Sequence, residues 1–93
     1  MYYQARRFPD GNYIFVNGKP LESDSCDWGR TGSHTDNTAY VILLDFFDDT
    51  DFAKEWYHNF SKHVIANLPH EWVLSSDDIN RWYDQEVDIE VAN

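Results

Sequence analysis

The residues that could do chemistry in this chain are few: four histidines, one cysteine and a large set of carboxylates. The histidines are His34, His58, His63 and His70. Zinc held on a helix asks for histidines at i and i+4, often with a carboxylate between them. His58 and His63 are five apart and diverge around a helix. His34 and Asp36 could share a ligand face only in an extended segment, and no second cysteine supports either pair. The spacing implies surface histidines, no metal and no cofactor. Cys26-Asp27 near His34 contains the ingredients of a thiol nucleophile, but nothing in the pattern orients a base or depresses the thiol pKa. Gly29-Arg30-Thr31-Gly32-Ser33 has the glycines of a phosphate-binding loop without the lysine that should follow the second one. No catalytic residues emerge, and the expectation is a non-enzymatic protein.

The carboxylates are the feature with a pattern. The 93 residues carry a net charge of −10. Residues 1–30 balance four cations (Arg6, Arg7, Lys19, Arg30) against four acids, whereas residues 31–93 set three cations (Lys54, Lys62, Arg81) against thirteen acids. The whole excess therefore lies in the second part of the chain. One group is Asp45, Asp48, Asp49, Asp51 and Glu55. The other is Asp77, Asp78, Asp84 and Glu86, followed by Asp88 and Glu90. Such a field repels nucleic acid and anionic membrane and attracts basic protein surfaces. Duplex DNA shows about one charge per 1.7 Å of axis, and carboxylates on a rigid helix copy part of that field. The plainer alternative is acidity that keeps a small domain soluble and favours helix N-termini.

The elements that position these acids follow from periodicity and turn chemistry. Tyr2 to Phe8 and Tyr13 to Val16 have the aromatic and β-branched content of strands, joined by a turn at Pro9-Asp10-Gly11-Asn12. Asn17-Gly18-Lys19-Pro20 is a second turn, and Leu21 begins a short third strand. Glu22 to Thr35 reads as a loop, anchored by Cys26 and Trp28. Asp36 or Asn37 would cap a helix over Thr38 to Asp49; its β-branched middle leaves a strand as the alternative. Thr50 or Asp51 would cap a second helix, whose residues Phe52, Trp56, Phe60, Val64 and Leu68 recur every four positions up to Pro69. Trp72 to Leu74 is a short strand able to pair with the hairpin. Ser75-x-x-Asp78, with Ser76, opens a third helix that buries Ile79, Trp82 and Tyr83. Val87-Asp88-Ile89-Glu90-Val91 alternates with period two, as an edge strand or as a disordered acidic tail over 86–93.

The class is thus α+β: a small antiparallel sheet, built from the N-terminal hairpin and a short later strand, packed by about three helices in one domain spanning 1–93. The composition is globular, 42% hydrophobic and 17% aromatic. The longest apolar run, Ala39 to Leu44, is far too short to cross a bilayer. One cysteine suits a reducing compartment, and Met1 to Phe8 lacks the apolar core of a secretion signal, so the cytoplasm is expected.

The order of landmarks is also familiar. A hairpin with x-Asp-Gly-x leads to Val-Asn-Gly-Lys-Pro-Leu at Val16–Leu21. Asp27-Trp28-Gly29 and Gly32-Ser33 follow. Further on come Val64 to Leu68 and Trp72-x-Leu74. Over about Tyr3 to Tyr83 the chain resembles a small bacterial and phage domain family of unknown function, DUF6166. The resemblance implies an α+β fold and a phage or mobile-element setting, and brings no catalytic residues with it.

Three functions compete at this stage. The leading one is an acidic inhibitor that occupies the basic nucleic-acid-binding site of a host protein, such as a CRISPR effector or a nuclease, with no direct binding of nucleic acid or membrane. The second is an interaction or scaffold module using exposed aromatics, as a possible homodimer. The third is a small ligand-binding or enzymatic domain around Cys26, Trp28, Arg30 and His34.

Overall fold

A computed structural model describes residues 1–22 and 26–88. Four strands and three helices follow in the order β1 (Tyr2–Phe8), β2 (Gly11–Val16), β3 (Lys19–Glu22), α1 (Ser33–Phe47), α2 (Thr50–His63), β4 (Trp72–Ser75) and α3 (Ser76–Trp82). A 3₁₀ turn, Ile65–Asn67, follows α2, and a π-helical extension, Tyr83–Asp88, continues α3. The sheet is antiparallel with order β3-β2-β1-β4, so the last strand docks on the first. This is the expected α+β class.

Alternation in β1 turns Tyr3 and Ala5 inward beside Ile14, Trp72 and Leu74, all buried. One sheet face is thereby apolar, and the α1–α2 pair contributes Ala39, Ile42, Leu43, Ala53 and Phe60 to the same core. The second turn is tighter than expected. Asn17 and Gly18 both take positive φ, the geometry of a two-residue hairpin turn, so Lys19 and Pro20 already belong to β3.

The core closes around Trp28, which is 1% exposed although it comes from a connection. Its indole Nε1 donates to the His70 carbonyl at 2.9 Å, and its ring meets Trp72 edge-on with centroids 5.8 Å apart. The Arg7 guanidinium lies 4.2 Å from the centroid of the same ring. The next residue, Gly29, donates its N–H to the Ile65 carbonyl and has φ of +78°; a Cβ there would stand 3.1 Å from the Leu68 carbonyl oxygen.

Helix boundaries depart from the pattern in five places. α1 starts at Ser33 after Gly32, with no side-chain cap, so Asp36 is a first-turn residue and neither it nor Asn37 is the cap. It ends at Phe47, and the strand alternative for its middle is overturned. Asp49, ahead of Thr50 and Asp51, caps α2 by accepting from the Phe52 N–H at 3.0 Å. The four-residue stripe outlasts its helix: α2 stops at His63, Val64 caps it, and Ile65 is buried from the 3₁₀ turn. Glu86 to Asp88 are helical and Val87 is buried, which corrects both the edge-strand and the tail readings for these residues. Ile89 to Asn93, the rest of that segment, lie outside the described residues.

Gly29 and Gly18 supply a test of the Trp28 anchor. Gly29→Ala and Gly18→Ala each place a Cβ at positive φ, at about 1–2 kcal/mol. Only Gly29→Ala adds the collision with Leu68, because Gly18 has no neighbour within 4 Å. Urea unfolding should show Gly29→Ala as the more destabilised of the two; equal losses would remove the close approach as a constraint.

Candidate functional site

The acids come from two segments that are distant in sequence, and an aromatic joint brings them to one corner. Phe47 at the end of α1 packs on Phe52 of α2 with centroids 4.5 Å apart, and both contact Tyr83, at 5.7 and 5.9 Å. Phe52 also reaches Trp82 at 6.4 Å. The α1–α2 elbow, with Asp48, Asp49 and Asp51, is therefore held against the junction of α3 with its extension, where Asp84 follows Tyr83. Phe46 and Phe47 read in the sequence only as the end of a broad apolar helix. Their task as a joint between acidic segments carries no local signal, since Tyr83 is its other half.

The nine acids singled out from the sequence divide by what they touch. Four hold the fold. Asp45 accepts from the Tyr3 hydroxyl at 2.6 Å, tying the last turn of α1 to β1. Burial first, and then the bond and charge of Asp45, push the Tyr3 phenol far above its ordinary value, so it stays protonated and donating. Asp49 is the α2 cap. Asp78 completes a capping box with Ser75 and lies 3.4 Å from Arg81. The backbone N–H of Ser75, aided by its hydroxyl and by Arg81, outweighs partial burial and holds the Asp78 carboxyl below its ordinary value. Glu86 receives Asn59 Nδ2 at 3.4 Å and faces His63 at 3.3 Å, while Asn59 Oδ1 accepts from the Trp82 indole at 2.8 Å.

The other five, Asp48, Asp51, Glu55, Asp77 and Asp84, are exposed and engage no described side chain. Asp48 is also the residue that reverses the chain between α1 and α2. It takes φ 52° and ψ 42°, its N–H closes on the Leu44 carbonyl, and no basic residue occupies the last turn of α1. A carboxylate at a helix C-terminus opposes the helix dipole, and a left-handed backbone favours glycine. Asp51 and Glu55 stand four apart on α2, about 5–6 Å between Cβ atoms, where like charges repel. Asp77 lies at the opposite end of α3 from Asp84, so the elbow acids are Asp48, Asp51 and Glu55, with Asp84 following the Tyr83 that packs on Phe47 and Phe52.

The alternative set around Cys26 is organised differently. Cys26 and Trp28 are buried, whereas Arg30 and His34 are exposed. Their neighbour Asp27 is the hub. Its carboxylate takes Arg7 at 3.0 Å and Arg30 at 3.1 Å and accepts the Trp28 N–H at 2.8 Å. The Asp27 N–H donates to the Thr38 hydroxyl, which lies 2.9 Å from the Asp27 carbonyl. Burial pushes this carboxyl up, but the Trp28 N–H and the two guanidiniums outweigh it and leave it below its ordinary value. These bonds fasten a loop to β1 and α1. Among the described residues no group of histidine, cysteine and carboxylates is placed to hold a metal ion.

The family profile matches residues 3–85, nearly the whole described chain and the span of the sheet, Trp28 and α3. The chain belongs to the DUF6166 family. That family is one of unknown function. No curated protein and no solved structure matches the chain. No helix is long and apolar enough to cross a membrane among the described residues.

Two measurements check this division. Asp48→Gly removes a strained left-handed side chain and should raise stability by about 0.5–1 kcal/mol, several degrees in Tm, while Asp49→Ala should lower it by about 1 kcal/mol through loss of the cap. Asp27 should show a pH signature. Its folded-state pKa is depressed, so its contribution is present above the unfolded value of 3.8 and is lost as pH falls through the folded one. Asp27→Asn should cost about 1–2 kcal/mol at pH 7, and the gap to the parent should close below pH 4 in thermal melts.

Proposed function

We propose that this DUF6166 protein is a non-enzymatic binder that sets its acidic corner into the basic nucleic-acid-binding site of another protein and blocks it. The reading rests on one observation: Asp48, Asp51 and Glu55 are exposed and unpaired on a two-helix elbow, against which Tyr83, the residue before Asp84, packs. Asp48 in particular sits at the C-terminal end of α1, which opposes its charge, on a backbone that favours glycine. Carboxylates spaced about 5–6 Å along a helix match the scale of successive phosphates closely enough to bridge lysines and arginines arranged for DNA. Nucleases and CRISPR effectors carry such sites, and the cytoplasm, with a phage or mobile-element origin, is the setting in which the activity makes sense.

Binding of this kind releases counterions, so it weakens steeply with salt. The immobilised protein should capture a nucleic-acid-binding protein from host lysate at 0.1 M NaCl and lose it at 0.5 M, and duplex DNA should compete with the capture. Charge reversal at Asp48, Asp51, Glu55 and Asp84 together should abolish it with the fold intact by circular dichroism. Capture that survives either the reversal or the salt would overturn the proposal.

A further inference from the structure

Among the described residues nothing covers the outer face of the sheet, where Tyr2, Phe8 and Val73 stand exposed. Alternation along β1 places Tyr2, Gln4, Arg6 and Phe8 on the side opposite the core, and the register sets Phe15 beside Gln4 and Tyr13 beside Arg6. Val73 of β4 is the other neighbour of Gln4. Phe8 meets Tyr13 edge-on at 5.3 Å, and Tyr13 stacks toward Phe15 at 6.4 Å, so the rings form one continuous ridge. Among the described residues the large exposed hydrophobics are Met1, Tyr2, Phe8 and Val73. Three of them lie on this face, and Met1 directly precedes it. Elsewhere among the described residues the large apolar groups are buried or half-buried.

We infer that this face is a homodimer interface, on which a second copy of the chain packs sheet to sheet. Charge selects the occupant. Arg7 and Arg30 are engaged by Asp27, and on the outer face Arg6 lines one shallow depression together with Glu71, so the sheet side is near neutral, while the unpaired acids of α1, α2 and the α3 extension lie on the helical side. Two copies at −10 each repel in any approach that brings helical layers together. Face-to-face sheets sit about 10 Å apart, with a helical layer about 10 Å beyond each, so the acidic corners end roughly 30 Å apart, several times the Debye length of about 8 Å. This is the approach in which self-repulsion is smallest.

The area is sufficient. Strands of seven, six, four and four residues span roughly 330 Å² in projection at about 3.3 Å rise and 4.8 Å spacing. Two such faces, with the relief of their side chains, come into the range of small specific interfaces, near 1,000 Å² in all. The contact is isologous and closes on itself, so it ends at two copies. It would display two acidic corners pointing away from each other, but it rests on the sheet alone and stands or falls independently of what those corners bind.

Sedimentation velocity on the full chain decides the matter. The parent, 11.0 kDa as a monomer, should pass to twice that mass with rising concentration, and more readily at 0.5 M than at 0.1 M NaCl, because salt screens the residual repulsion. Phe8→Lys and Val73→Lys, both at exposed positions, should each weaken the dimer at least tenfold with unchanged circular dichroism, while Asp48→Lys should leave it intact or tighten it. A parent that stays monomeric up to about 1 mM overturns the inference. So does a dimer that weakens with salt, the sign of an acidic corner docking on Arg6, or one that both sheet-face variants retain.

Discussion

The burial of Trp28 is the constraint on which the rest of this structure depends. An indole from a connection is placed where the sheet, the segment leading into β4 and α1 meet, and each of the three gives it a separate tie: Arg7 over its ring, the His70 carbonyl on its nitrogen, and Thr38 on the preceding backbone. Full burial of such a ring outweighs any single hydrogen bond nearby. Because Asp27 and Gly29 flank it, the indole also dictates where the charges of Arg7 and Arg30 go and where the Leu68 backbone must pass. The segment with the least regular structure is thus the one that fixes the relation between the two layers.

The acidic side follows a different logic. Tyr3 with Asp45, Asn59 with Glu86, and Ser75 with Asp78 use carboxylates as hydrogen-bond acceptors that join elements or end them. Removing these would loosen the fold. The remaining acids engage no described side chain, and Asp48 sits where local physics disfavours it, at the C-terminal end of α1, while Asp51 and Glu55 are like-charged neighbours on α2. A local rule broken without a structural gain is where function is to be sought.

How much could be read from the sequence depended on whether the signal was local. The first hairpin was legible because Pro9-Asp10-Gly11-Asn12 is a turn by backbone preference alone, and the Ser75–Asp78 box because both partners lie within one turn. The start of α1 was not. Side-chain caps at Asp36 or Asn37 were the natural reading, yet the helix opens earlier at a bare Gly32, with Thr35 and Thr38 buried behind it. The stripe through Val64 and Leu68 was real as a buried side but not as one helix, because a 3₁₀ turn keeps Ile65 facing the core after the α-helical bonds stop. Alternation at Val87-Asp88 suggested a strand or a tail; it is helical because Asn59 and His63, far away in sequence, receive Glu86, and because Val87 finds a buried site. For the candidate site, the identity of the acids was legible. Their division into bound and unbound was not, since Tyr3, Asn59 and His63 carry no mark of their roles.

The pairing of β1 with β4 has a consequence for how the molecule comes into being. Tyr2 lies opposite Ser75, and the Met1 carbonyl accepts both the N–H and the hydroxyl of Ser76. The two-helix elbow needs only neighbours in sequence and can form quickly, whereas the sheet is complete only when two strands some seventy positions apart find each other, the slow kind of contact. Until then β1 is an open, aromatic edge, the kind of surface that recruits other chains. Folding yield should therefore be governed by how long β1 waits for its neighbour, and changes that leave the finished fold untouched could still decide how much of it accumulates in a cell.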